Sequence, residues 1–135
     1  MMKDQNLLFK QMIKHVSDFH DAFAIENNHA PTAQLSTKDF MLRFNLMKEE
    51  NEEYLEACAK NDVVEIADAL GDMLYILCGT ILKHGLQDKM EAVFEEIQAS
   101  NMSKLDKNGK PIYREDGKVL KGENYFKPNL KEIVL

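Results

Sequence analysis

The chain has 135 residues, enough for one domain with a buried core, and its 44% apolar and 30% charged residues with only 6 Gly and 3 Pro exclude low-complexity and disordered classes. A net charge of −6 excludes a general nucleic-acid binder, which needs a basic surface to displace counterions. No apolar run reads as a signal peptide or approaches the ~20 residues that span a bilayer, so a cytoplasmic protein without a membrane or nucleic-acid partner is expected.

Helical periodicity dominates the first hundred residues. Leu8, Met12, Val16, Phe19 and Phe23 recur at 3- and 4-residue steps and predict an amphipathic helix from about Asp4 to Ile25. Asn27-Asn28, Pro31 and Ser36-Thr37 form a loop, and Ser36 or Thr37 can cap a second helix that runs to about Lys60. Asn61-Asp62 is a break whose Asp can cap a third helix, Val63 to Lys83, with Gly85 as its stop. A fourth helix is expected from about Gln87 to Met102. Connections this short make consecutive helices antiparallel, so the expected fold is all-α, an antiparallel bundle of four to five helices. Cys58 and Cys78 lie in apolar-periodic segments without CxxC spacing and read as reduced core thiols.

The tail differs in charge and pattern. Residues 1–100 hold 9 Lys+Arg against 18 Asp+Glu, whereas residues 101–135 hold 8 against 5. Asp116-Gly117 between Ile112-Tyr113 and Val119-Leu120 is a hairpin signal. The reading is a single domain over 1–135: a helical bundle over about 4–103, then a β-hairpin and an extended arm over about 104–135.

The third helix carries the first chemical signal. Between Val63 and Leu82 its only charges are Glu65, Asp68 and Asp72, all within an arc of roughly 60° at ~100° per residue. The rest of its circumference is apolar or small, the pattern of a buried helix, where like charges are expensive unless a cation neutralises them. The second helix supplies Glu50 and Glu53 one turn apart on a face with Leu46, Tyr54 and Ala57, with Glu49 at its edge. Glu52 and Glu56 point away and read as solvent-facing. Across an antiparallel pair Glu50 and Glu53 face Glu65 and Asp68, and an all-carboxylate set without His or Cys favours Mg²⁺, with Mn²⁺ next, and a polyphosphate ligand. A di-iron bundle would need two Glu-x-x-His motifs, and the one present, Glu26–His29, lies at a helix end beside Pro31.

Glu49-Glu50-x-x-Glu53 followed by Glu65-x-x-Asp68 resembles the EExxE…ExxD signature of the MazG-like, all-α nucleoside triphosphate pyrophosphohydrolases, a superfamily that includes phosphoribosyl-ATP pyrophosphohydrolase. The resemblance extends to Val16–Phe23, to Glu65–Gly85, to Ser100–Lys104 and to Asp116–Phe126. It implies Mg²⁺-dependent hydrolysis of a nucleoside triphosphate to the monophosphate and pyrophosphate, for clearing surplus or non-standard nucleotides, by a homodimer or dimer of dimers. By resemblance Glu50, Glu53, Glu65 and Asp68 are the metal ligands and Asp72 a further acid. Some branches place the last acid at the position of Asp72, three residues after a Glu, whereas residue 69 here is Ala. Glu49 is the candidate to orient or deprotonate the attacking water. In the tail, Asn101, Lys104 and Lys121 are candidates for sugar and phosphate contacts and Tyr125 for stacking on a base, the alternative for each lysine being a solvated side chain. His20 reads as a core histidine or as a base contact. A nucleotide-binding bundle without turnover, and phosphoribosyl-ATP hydrolysis, are the rival readings.

Overall fold

A computed structural model of the protein describes residues 7–135, in which the helices are α1 (Leu7–Ala22), α2 (Thr37–Ala59), α3 (Val63–Lys83), α4 (Met90–Met102) and α5 (Lys131–Val134). The expected start of the first helix at Asp4 lies outside the described residues. The chain forms two compact units, one ending at Asp88 and the other Lys89–Leu135.

In the first unit α3 is central. Ser36 caps α2, its hydroxyl accepting from the Asp39 N–H, and Asp62 caps α3, its carboxylate accepting from the N–H groups of Val64 and Glu65. Between them Asn61 takes the left-handed conformation that ends many helices, so α2 reverses into α3 within three residues. The two helices run antiparallel and are tied by Arg43, whose Nε donates to Thr80 Oγ1 at 3.0 Å and whose Nη2 donates to the Ile76 carbonyl at 2.9 Å.

On another side of α3, Val16 packs with Cys78 and Leu82, and Met12 and Ile13 flank them. Full burial of Val16 and of Leu82 contributes about 1.5–3 kcal/mol each. Phe19 meets Tyr75 edge to face, 5.6 Å between ring centroids. The loop after α1 is pinned to the end of α3: Asn28 Nδ2 donates to the Lys83 carbonyl, Lys83 Nζ to the Glu26 carbonyl, and the Thr32 N–H to the His84 carbonyl. Gly85 closes α3 at φ +65, and a Cβ there would collide with the Ala30 carbonyl.

The second unit corrects the expectation for the tail. Among the described residues there is no strand, only an isolated antiparallel bridge between Tyr113 and Val119. Asp116-Gly117 does reverse the chain, with the Arg114 N–H on the Lys118 carbonyl and the Leu120 N–H on the Ile112 carbonyl. The pairing stops there because Pro111 has no N–H to extend it, and Tyr113 and Val119 are exposed with nothing to bury against. The arm is not extended to its end either, since Lys131–Val134 is helical. It is anchored by buried Ser100, whose hydroxyl donates to the Phe126 carbonyl, and by Ser103, whose hydroxyl accepts from the Phe126 N–H.

Candidate metal centre

The tight turn sets which acids meet. In an antiparallel pair folded at Asn61, residues equidistant from that turn lie side by side. Glu50 is eleven positions before it and Asp72 eleven after. Carboxylate oxygens of Glu50, Glu53 and Asp72 all lie within 4.8 Å of one another. Asp68, one turn earlier on α3, adds its negative charge to the field at Glu50 without joining that group. Glu65 lies four positions after the turn, level with Ala57, and is also outside the group.

Glu50 is the strained member. It is half-buried, and its Oε2 is shielded from solvent with no hydrogen-bond partner. Loss of solvation, a hydrogen bond with Glu53 and the negative charges of Asp72, Glu53 and Asp68 push its carboxyl from the ordinary 4.5 up to about 7. An orphaned buried oxygen beside two more carboxylates is the environment that a hard divalent cation satisfies, and the all-oxygen donor set suits Mg²⁺ or Mn²⁺. Glu49 is exposed on the adjoining position of α2. Glu52 pairs with Lys48 at 3.6 Å in solvent.

His20 is buried at 2% exposure, with Nδ1 in a 2.5 Å hydrogen bond to Asn27 Oδ1. Because an amide oxygen only accepts, Nδ1 carries the proton. Burial, with the nearby charges of Arg43 and Lys83, lowers the His20 pKa against the opposing bond to Asn27, and the ring stays neutral. Its Nε2 and the Arg43 guanidinium lie over Gly79, where a Cβ would stand 3.0 Å and 2.5 Å from them. The second unit holds the remaining candidates. Asn101 is exposed, Lys104 accepts from the Gly122 N–H through its carbonyl, and Lys121 Nζ lies 4.9 Å from the centroid of the Tyr125 ring.

Arg43, Asn27 and Gly79 were not singled out by sequence, although Arg43 lies on the same face of α2 as Glu50, seven positions away. Burial without an ion pair among the described residues also lowers the pKa of Arg43, whose role is to tie α2 to α3 beside the acids.

Residues 16–101 match the family model for phosphoribosyl-ATP pyrophosphohydrolase, and the chain belongs to that family. The match takes in the end of α1 from Val16, all of α2 and α3, α4 as far as Asn101, and the acid cluster. The family's description names a pyrophosphohydrolase, an enzyme that hydrolyses a phosphoric anhydride. A stretch of 67 residues, 50% of this chain, is 34% identical to an uncharacterized protein of Acanthamoeba polyphaga mimivirus. That stretch covers 27% of the viral protein, so the chain spans only about a quarter of it. No helix among the described residues is long and apolar enough to cross a membrane.

Proposed function

We propose that the protein hydrolyses a nucleoside triphosphate to the monophosphate and pyrophosphate with the help of Mg²⁺, as a scavenger of surplus or non-standard nucleotides. The carrying observation is the convergence of Glu50, Glu53 and Asp72 around an unpartnered buried oxygen. These three residues would hold the metal, with Asp68 close by on the next turn of α3. A bound divalent ion supplies neutralisation of polyphosphate charge and a lowered pKa for bound water. Glu50 gives up the proton it holds below about pH 7 and becomes an acceptor for cation binding. Glu49, exposed at the rim, orients the attacking water and takes its proton at a carboxylate oxygen. Arg43, bonded to Thr80 and to the Ile76 carbonyl, holds α2 against α3 at the spacing that brings the acids together.

A second reading is phosphoribosyl-ATP as the substrate, favoured by the description of the matching family. Both substrates present the same bond to the same acids. The test is product analysis with each common ribo- and deoxyribonucleoside triphosphate and with phosphoribosyl-ATP, each with Mg²⁺, assaying pyrophosphate separately from phosphate. Monophosphate plus pyrophosphate from a nucleoside triphosphate, abolished by EDTA, is the expected result. Turnover of phosphoribosyl-ATP alone would transfer the assignment to the second reading. Nucleotide binding without turnover of either would leave only a binding role.

A further inference from the structure

Where α1 ends, α2 begins and α3 finishes, the first unit leaves a cavity of about 310 Å³ lined by Ile25, Glu26, Asp39, Leu42, Arg43 and Lys83. Two cations and two carboxylates share this space, and among the described residues none of the four forms an ion pair. Asp39 and Arg43 stand four positions apart on α2, the spacing at which such side chains normally meet. Arg43 is instead held by its bonds to Thr80 and to the Ile76 carbonyl, which leave its Nη1 without a partner among the described residues. Lys83 is held by the Glu26 carbonyl. Asp39, Arg43 and Lys83 are all half-buried, so water replaces the missing partners only in part. A simple anion would meet the acids as well as the cations. The arrangement suits a ligand edge that presents acceptors and donors side by side.

We propose that this cavity takes the base of the nucleotide and selects guanine, an inference that rests on a nucleoside triphosphate being the substrate. The O6 and N7 atoms of guanine accept from a guanidinium or an ammonium, and its N1–H and 2-amino group offer two parallel donors to one carboxylate. Adenine has no carbonyl for the cations, and neither cytosine nor uracil has two adjacent donors for the carboxylate. Asp39 is the half-buried acid of the pair and Glu26 the exposed one, so Asp39 takes the two donors. Ile25 and Leu42 supply apolar surface for the faces of the ring. The cavity is also placed for this role. Arg43 lies seven positions from Glu50 on the same face of α2, about 10 Å along the helix axis. A nucleotide with its phosphates at the acids can therefore lie along α2 with its base at Arg43.

Isothermal titration calorimetry of the full chain with nucleosides in EDTA tests this without metal or turnover. Guanosine is expected to bind at least ~10-fold more tightly than adenosine, cytidine or uridine, and inosine, which lacks the 2-amino group, to fall behind guanosine by a similar factor. Asp39→Asn replaces a carboxylate with an amide that donates as well as accepts. That variant is expected to prefer xanthosine, which carries an oxygen in place of the 2-amino group, over guanosine. A variant that was merely misfolded would lose guanosine without gaining xanthosine. Equal binding of the nucleosides by the wild type, or binding of none at millimolar concentration, would overturn the proposal. So would a folded Asp39→Asn chain that shows no switch to xanthosine; if that variant does not fold, the wild-type ratio of guanosine to inosine decides. Hydrolysis of every triphosphate alike, with no preference among the nucleosides, would remove the guanine assignment and leave the proposed activity standing. Selective guanosine binding without turnover would do the reverse.

Discussion

At Glu50 the needs of the fold and of the site conflict. Its carboxyl titrates near 7 in the folded protein, against 4.5 when free of its neighbours Glu53, Asp72 and Asp68. Between those two values the folded state binds more protons than the unfolded one, so the metal-free protein loses stability as pH rises from about 4.5 to about 7 and levels off above. Thermal midpoints in EDTA across that range check the sign. Glu50→Gln keeps the shape without the charge. The variant is expected to melt higher than wild type at pH 8 in EDTA and to show no Mg²⁺-dependent turnover. A variant that melts lower would mean that the charge is not the source of the strain. The neighbouring acids separate by register. Asp72→Asn is expected to cost at least ~100-fold in turnover, while Glu65→Gln stays within the ~10–100-fold typical of groups that act from outside the metal's own ligands. Equal losses in the two variants would put Glu65 back among the ligands.

Among the elements, the turn between α2 and α3 governs the site. Asp62 accepts from two N–H groups at the start of α3, both at 3.1 Å, so Asp62→Ala is expected to lower stability by about 0.5–2 kcal/mol in urea unfolding. Gly79→Ala would press a methyl against Arg43 and His20, at an overpacking cost of about 1–3 kcal/mol by the same measurement. Much of this architecture is legible in the chain. Ser36, Asp62 and Gly85 mark the helix ends that the structure shows, because caps and stops are local chemistry. The candidate acids are legible too, since Glu65, Asp68 and Asp72 are charges on an otherwise apolar helix. Which of them meets Glu50 depends on register across the turn. Counting outward from Asn61 pairs Glu50 with Asp72, whereas the motif alone points to Glu65 and Asp68. The tail misleads because Asp116-Gly117 encodes a reversal but cannot encode the missing partner strand. Ser100 and Ser103 lie in the segment that carries the resemblance, but their bonds to Phe126, which anchor that tail, join residues 23 or more positions apart and leave no local signal.

Over the whole molecule, the proposed metal centre predicts that a divalent cation stabilises the fold. A ligand that binds the folded state alone stabilises by RT ln(1 + [L]/Kd), about 2.7 kcal/mol at a hundredfold excess over Kd. The thermal midpoint is therefore expected to climb with Mg²⁺ or Mn²⁺, and EDTA should reverse the gain. The climb should shrink as pH falls below about 7, because protons then compete with the metal at Glu50. General screening of a chain at −6 would also raise the midpoint, so NaCl at matched ionic strength is the control. Screening relieves charge wherever it sits, whereas binding requires the three clustered carboxylates. The Mg²⁺ gain should accordingly vanish in Asp72→Asn while the NaCl response persists. If NaCl reproduced the whole Mg²⁺ effect in the wild type, the cluster would be a crowded surface and not a metal centre.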